Sequence, residues 1–318
     1  MASPRYSEEL VLRVNELYYD FTFQQYGAIH SEMGANEKKR WENIAQQFLQ
    51  FPHPAAIADL GTGNGFVPLT IAPFLRPHDT IHCADISAGM LQAAQRNLQA
   101  ATLPPAFKFV KIESQAPLRL PFDSATLDAV AMNSVLHHIR NTSEFLAEID
   151  RILKPGGLVV IGHEPNGLFR QHPFLWRNYR FLSSVIHPTI GATVVSQKLR
   201  LYGPMMKLYY RLFPEKGERS RRMMEQINRT LIEEGISQKP IQLEELANIT
   251  DIRDMEGFVP DQLLPNYRLL HLESYDYLRV INRHRPSNPI VGWYNRQLAK
   301  RFPTCGGTFF VVLRKPGE

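Results

Sequence analysis

Asp59-Leu60-Gly61-Thr62-Gly63-Asn64-Gly65 joins an apolar run, Ala56 to Leu60, to a second apolar stretch from Phe66 to Leu75. Glycines placed there supply a tight turn between a strand and a helix and let a ligand approach the backbone. The spacing departs from a dinucleotide fingerprint, because the third glycine comes one place early and an acidic residue leads. A carboxylate at Asp59 suits a pyrophosphate poorly and a cationic ammonium well, whether it acts directly or through water. Asp85 ends the next apolar run, 20 residues after Gly65, where an acidic side chain can accept both hydroxyls of a ribose. Asp59, Gly61, Thr62, Gly63, Gly65 and Asp85 therefore predict the site of a nucleotide-like cofactor.

A second group has acid-base character. His137, His138, His163 and Glu164 fall where strands are predicted to end, the edge at which open α/β sheets bind ligands. An imidazole titrates near ~6.5 and suits general-base work at neutral pH, whereas Glu164 needs desolvation to reach that range. His137, His163 and Glu164 are the candidate catalytic residues. Either ring of the His137-His138 pair also reads as a hydrogen-bonded packing residue, and His163 and Glu164 as braces. No metal is expected: Cys83 and Cys305 lack ligand spacing, and Asp128 lies inside its predicted strand, before the strand's end.

These residues need a scaffold. Residues 55–165 alternate strand-like runs with helical periodicity, which predicts an α/β domain on a parallel sheet. Thr80 to Ala84, Phe107 to Ile112, Thr126 to Met132 and Leu158 to Gly162 read as further strands. Ser87 caps a helix with Met90, Leu91, Ala94 and Leu98 on one face. Asn141 and Glu144 form a capping-box variant ahead of Phe145, Leu146, Ile149, Ile152 and Leu153, and Lys154-Pro155-Gly156-Gly157 stops that helix. Residues 7–50 read as helical, and Tyr267 to Tyr277 and Thr308 to Leu313 as strands.

Composition limits the classes. The chain has 318 residues, 44% hydrophobic and 21% charged, which fits a globular protein and not a disordered or fibrous one. No secretion signal or spanning helix is visible, and two cysteines make no disulfide framework, so a cytoplasmic location is expected. Residues 1–160 carry 13 basic against 16 acidic side chains, and 161–318 carry 23 against 15. The excess concentrates between Gly167 and Arg222, with 11 Lys/Arg, 2 Asp/Glu and nine aromatics: Phe169, Phe174, Trp176, Tyr179, Phe181, Tyr202, Tyr209, Tyr210 and Phe213. That segment predicts an inserted, mostly helical cap. It reads first as a substrate lid, with a peripheral membrane surface and a nucleic-acid surface as alternatives.

The chain resembles the class I S-adenosylmethionine-dependent methyltransferases, particularly the small-molecule group with the UbiE-like domain. The resemblance covers about Ala56 to Gly162 and rests on the Asp59 to Gly65 loop, Asp85, Leu120-Pro121-Phe122-Asp123-Ser124-Ala125-Thr126-Leu127-Asp128, Leu136-His137-His138 and Leu153-Lys154-Pro155-Gly156-Gly157. It implies a Rossmann-like seven-stranded sheet with helices on both faces and a final antiparallel strand, Thr308 to Leu313. It implies S-adenosyl-L-methionine as cofactor, with Asp85 on the ribose, Ile86 and Met90 in the adenine pocket and Asn133 completing the set. Glu113-Ser114 would meet the adenine edge, although many relatives carry Asp-Ala there. Met132-Asn133-Ser134-Val135 replaces the Asn/Asp-Pro-Pro-aromatic motif of nucleic-acid amino methylation, and neither cysteine follows a proline as cytosine C5 methylation requires; nucleic acid is thus not the expected partner.

The expected domains are an N-terminal helical cover (1–50), the cofactor-binding core (51–166), the cap (167–250) and a C-terminal completion of the sheet (251–318). The expected reaction is methyl transfer to a small, lipophilic or amphipathic acceptor, on oxygen before carbon or nitrogen. Tyr18, Tyr19, Tyr26, Trp176 and Tyr179 are the candidate acceptor contacts. The motifs report cofactor binding and not chemistry. A sulfonium-assisted cyclisation and a non-catalytic protein docked on an anionic membrane or a partner are therefore the alternatives.

Overall fold

A computed structural model describes residues 6–29, 31–48, 51–186, 214–254, 256–278 and 289–317. Among these, no helix is long and apolar enough to cross a membrane. The chain divides into two compact units, one comprising residues 1–165, 247–273 and 309–318, the other 166–246 and 274–308.

The first unit is built on seven strands: β1 (Ala56–Leu60), β2 (Thr80–Asp85), β3 (Ala106–Lys111), β4 (Leu127–Asn133), β5 (Leu153–Pro165), β6 (Arg268–Tyr275) and β7 (Thr308–Arg314), in the order β3-β2-β1-β4-β5-β7-β6. β1 pairs in parallel with β2 and β4, β2 with β3, and β4 with β5. β7 runs against β5, because Gly156 N–H donates to the Pro316 carbonyl and Lys315 N–H to the Gly157 carbonyl. The parallel strands are those that the alternating sequence predicts, and the Rossmann-like seven-stranded sheet with antiparallel β7 is the one that the resemblance implies. β1, β4 and β7 are nearly continuous apolar runs, as strands covered on both faces must be. Strand order reverses on the two sides of β1, so the crevice at the carboxyl ends of β1 and β4 is the place for a ligand.

Helices α1 (Glu8–Ile29), α2 (Ser31–Phe48), α3 (Phe66–Ile71), α4 (Ala88–Gln99) and α5 (Thr142–Ile152) belong to this unit. On α5, Phe145, Leu146, Ile149 and Ile152 are buried at the spacing of one helical face. The expected capping box does not form: Asn141 makes no side-chain cap bond, and its carbonyl accepts from Phe145 N–H instead. Asp128 ties β4 to its neighbours, accepting from Ala56 N–H at 2.9 Å and from Lys154 Nζ at 2.9 Å.

The second unit contains α6 (Gly167–Gln171), α7 (Pro173–Ile186), α8 (Pro214–Glu233) and α10 (Pro289–Arg301), while α9 (Leu243–Thr250) straddles its boundary. Phe169, Leu175, Tyr277, Leu278 and Leu298 form its core, with Trp176, Tyr179 and Tyr294 packed against them. Trp176 and Tyr179 stack at 5.7 Å, and both meet Phe169 edge-on. These rings are thus accounted for by packing inside their own unit, while Phe174 and Phe181 are exposed. Tyr202, Tyr209, Tyr210 and Phe213 lie outside the described residues, as does the Tyr26 side chain.

Candidate active site

The turn after β1 is bent by glycine. Gly61, Gly63 and Gly65 take φ values of +66°, +55° and +88°, where an L side chain is strained. A Cβ on Gly61 would stand 2.6 Å from Val135 Cγ2, so this position also needs glycine for space. Thr62 N–H donates to the Ala84 carbonyl at 3.0 Å, which pins the loop against the end of β2.

Asp85 ends β2 with 5% of its surface exposed. One of its oxygens accepts from Gly63 N–H at 2.8 Å and the other from Ser87 N–H at 2.8 Å. Each carboxylate oxygen keeps further acceptor capacity, which can take the two hydroxyls of a ribose. Burial pushes the carboxyl up to about 6, against the pull of the two N–H donors and the Lys111 charge. Asp59 is buried more completely. Neither of its oxygens has a hydrogen-bond partner, and the nearby Thr62 hydroxyl is outside bonding geometry too. Burial, reinforced by the Asp85 charge, raises Asp59 to about 8. A buried carboxyl without a donor costs free energy that an approaching cation can relieve.

Gly61, Gly63, Asp85, Ile86, Met90, Ile112 and Asn133 line one cavity together with Leu12, Asn15, Tyr19, Leu118, Val135, His138 and Phe145. Asp59, which precedes Leu60 and Gly61 in the chain, is not itself among the lining residues. Asn133 is held there by Trp41 Nε1–H, which donates to its Oδ1 at 2.9 Å. The adenine-edge pair is placed differently from its sequence role. Ile112 supplies the wall, Glu113 is exposed, and the Ser114 hydroxyl donates to Glu16, which also accepts from Lys111 Nζ at 2.7 Å.

α1 contributes more than sequence reasoning assigned to it. Leu12, Asn15 and Tyr19 recur three and four residues apart and so present one face to the cavity. Asp20 anchors the helix there, accepting from the Ser87 hydroxyl at 2.6 Å and from Gly89 N–H at 2.9 Å. Tyr18 meets Tyr19 edge-on at 5.2 Å and does not line the cavity.

The histidines part company. After β4 the chain makes a 3₁₀ turn, Leu136–His138, and Glu164 caps it from β5. Glu164 accepts from the Val135, Leu136 and His137 N–H groups and meets His137 Nδ1 at 2.9 Å. It is wholly buried, its oxygens are occupied, and it braces the turn. Burial pulls His137 down, but the Glu164 charge and hydrogen bond, with Asp251 and Asp254, raise it overall. His163, at φ +56°, turns its Nδ1 to Glu37 Oε1 at 3.2 Å. None of these three candidate catalytic residues lines the cavity, whereas His138 does. Successive residues of a 3₁₀ turn point about 120° apart, and of the two only His138 lines the cavity. Ligand atoms of His137, His138 and Asp251 lie within 4.8 Å of one another. Three of the four ring nitrogens already face protein partners, Glu164, Thr250 and Tyr19, which makes the cluster a hydrogen-bonded chain.

Residues 58–161 match the model of the methyltransferase domain family. This segment is a class I methyltransferase domain. The family's cofactor is S-adenosyl-L-methionine, and the residues fit it. Backbone held open by Gly61 and Gly63, a carboxylate with spare acceptor capacity at Asp85, and apolar Ile86 and Met90 suit its nucleoside, and a buried carboxyl without a donor at Asp59 suits a cationic tail. The chain is 29% identical over 157 residues to the demethylmenaquinone methyltransferase of Symbiobacterium thermophilum, covering 49% of this chain and 61% of that protein. It is 26% identical to the ubiquinone/menaquinone biosynthesis C-methyltransferase UbiE of Geobacter sulfurreducens, covering 47% and 57%. With the 2-phytyl-1,4-naphtoquinone methyltransferase of Nostoc punctiforme it shares 25%, covering 43% and 58%. The methyltransferase domain thus aligns over less than two thirds of each relative's length.

Proposed function

We propose that this chain is an S-adenosylmethionine-dependent methyltransferase acting on a small, largely apolar acceptor that carries a hydroxyl group. The observation that carries the reading is the single cavity that joins the Gly61–Gly63 backbone and Asp85 to an apolar wall of Leu12, Leu118, Ile139 and Phe145. When bound, S-adenosylmethionine supplies an activated methyl carbon, so the protein's task is chiefly alignment and exclusion of water. Asp85 accepts from the ribose, the glycine backbone admits the ligand, and Ile86 and Met90 enclose the base. The apolar wall holds the acceptor and keeps competing water out.

Oxygen is the expected methylation atom. Carbon is the second reading, favoured by relatives named for C-methylation or for acting on quinones. Calorimetry with S-adenosylhomocysteine tests the cofactor. Turnover of hydroquinone and phenol acceptors with the ¹³C-methyl-labelled donor, read by the methyl chemical shift of the product, separates oxygen from carbon. Absence of S-adenosylhomocysteine binding, or tight NAD binding in its place, would refute the reading.

A further inference from the structure

His138 Nδ1 stands 2.7 Å from the Thr250 carbonyl oxygen. A carbonyl only accepts, so Nδ1 carries the hydrogen and the neutral ring keeps a bare Nε2. The Tyr19 hydroxyl lies 3.0 Å from that Nε2 and donates to it. On the other side of the ring, Asp251 Oδ1 is 3.3 Å from Nδ1. Three separate stretches of chain meet here: α1, the turn after β4, and the segment after α9. Tyr19 and His138 share the cavity wall with Gly61 and Asp85.

The geometry points to Tyr19 and His138 as the acid-base pair that takes the acceptor's proton, with Asp251 as the residue that positions His138. This rests on the methyl-transfer reading and narrows the acceptor to a molecule with an ionisable ring hydroxyl, such as a phenol or hydroquinone. The acceptor's O–H bond breaks as its proton passes to the Tyr19 oxygen. Tyr19 simultaneously gives its own proton to His138 Nε2. The electron pair of the broken bond stays on the acceptor as the nucleophile, and the new positive charge rests on an imidazolium flanked by Asp251 and the Thr250 carbonyl. No oxidant or metal enters the balance.

The other titratable groups facing His138 fit the assignment. His137, on the same turn, has its ring centroid 4.0 Å away, and its Nδ1 is engaged by Glu164 at 2.9 Å, so its partner is Glu164 and not His138. Asp251 is held down, despite its burial, chiefly by its hydrogen bond to His138, and is placed to stabilise the imidazolium.

Nitrogen-15 NMR of the imidazoles, in the full chain with S-adenosylhomocysteine, reads the device without turnover. His138 is expected as the Nδ1–H tautomer with an acceptor-type Nε2, and Tyr19→Phe should shift the Nε2 signal while preserving the tautomer. An Nε2–H tautomer, or an Nε2 signal indifferent to Tyr19→Phe, would overturn the relay. With 1,4-naphthohydroquinone as acceptor, Tyr19→Phe and His138→Gln should each lower kcat by roughly 10²–10⁴-fold with KM nearly unchanged. The deficit should shrink for more acidic phenols, which a merely structural role does not explain; an equal deficit across acceptors would also overturn the relay. Failure of S-adenosylhomocysteine to bind the wild type sinks the methyl-transfer reading, whereas intact binding with the wrong tautomer sinks the relay alone.

Discussion

Asp85 offers a sharp test of the cofactor site because it must be ionised to accept two ribose hydroxyls, yet burial lifts it from an ordinary 3.8 to about 6. Hydroxyl donors stabilise the charged form, so ligand binding returns the carboxyl towards its ordinary range and releases a proton where the free protein still holds one. The sign follows: affinity for S-adenosylhomocysteine is fully present above about pH 6 at this group and is lost as pH falls through it. The slope is a factor of about ten per pH unit, and the distance between 3.8 and about 6 caps the total near 100-fold, or about 3 kcal/mol. Calorimetry in buffers of different ionisation enthalpy measures the affinity and the released proton together. Asp85→Asn should abolish this limb and weaken binding by about 1.5–3 kcal/mol. It should also destabilise the fold, because an amide cannot accept from both Gly63 N–H and Ser87 N–H. Asp59, raised to about 8, adds a second limb at higher pH that Asp59→Asn alone should remove. Unchanged proton release near pH 6 in a folded Asp85→Asn protein would refute the ribose assignment.

Two further predictions concern the scaffold. Gly61→Ala places a methyl 2.6 Å from Val135 Cγ2 at φ +66°; it should cost about 1–2 kcal/mol in backbone strain alone and abolish S-adenosylhomocysteine binding, with Val135→Ala relieving the clash but not the strain, as thermal melts and calorimetry on both variants can show. Glu148, which accepts from Arg151, Arg119 and Leu120 N–H, is held down to about 2 chiefly by its hydrogen bond to Arg151. A depressed acid stabilises the fold above its unfolded value of 4.5 and loses that contribution as pH falls towards 2. Glu148→Gln should therefore cost about 1.5–3 kcal/mol in urea unfolding at neutral pH, and a deficit that persists undiminished in acid would contradict the assignment.

The glycine turn, the place of Asp85 at the end of β2 and the strands that carry them were legible in the sequence because they are local: a strand, a turn of fixed residue type and a helix occupy consecutive positions. The apolar runs of β1, β4 and β7 were likewise legible as strands. Which imidazole lines the cavity was not legible, since His137 and His138 are adjacent and only the cap from Glu164 decides how their turn is oriented. The same holds for Glu164, whose composition suggested a base and whose three backbone donors make it a brace. Asp251 and Thr250 carry no signal of their own more than 100 residues downstream of His138; folding alone brings them to its Nδ1. Trp176 and Tyr179 suggested a pocket by composition, and the structure packs both, half-buried, against Phe169. Local chemistry and periodicity are properties of neighbouring residues and so belong to the sequence. The partner of a side chain across the sheet depends on long-range packing, and only the tertiary structure decides it.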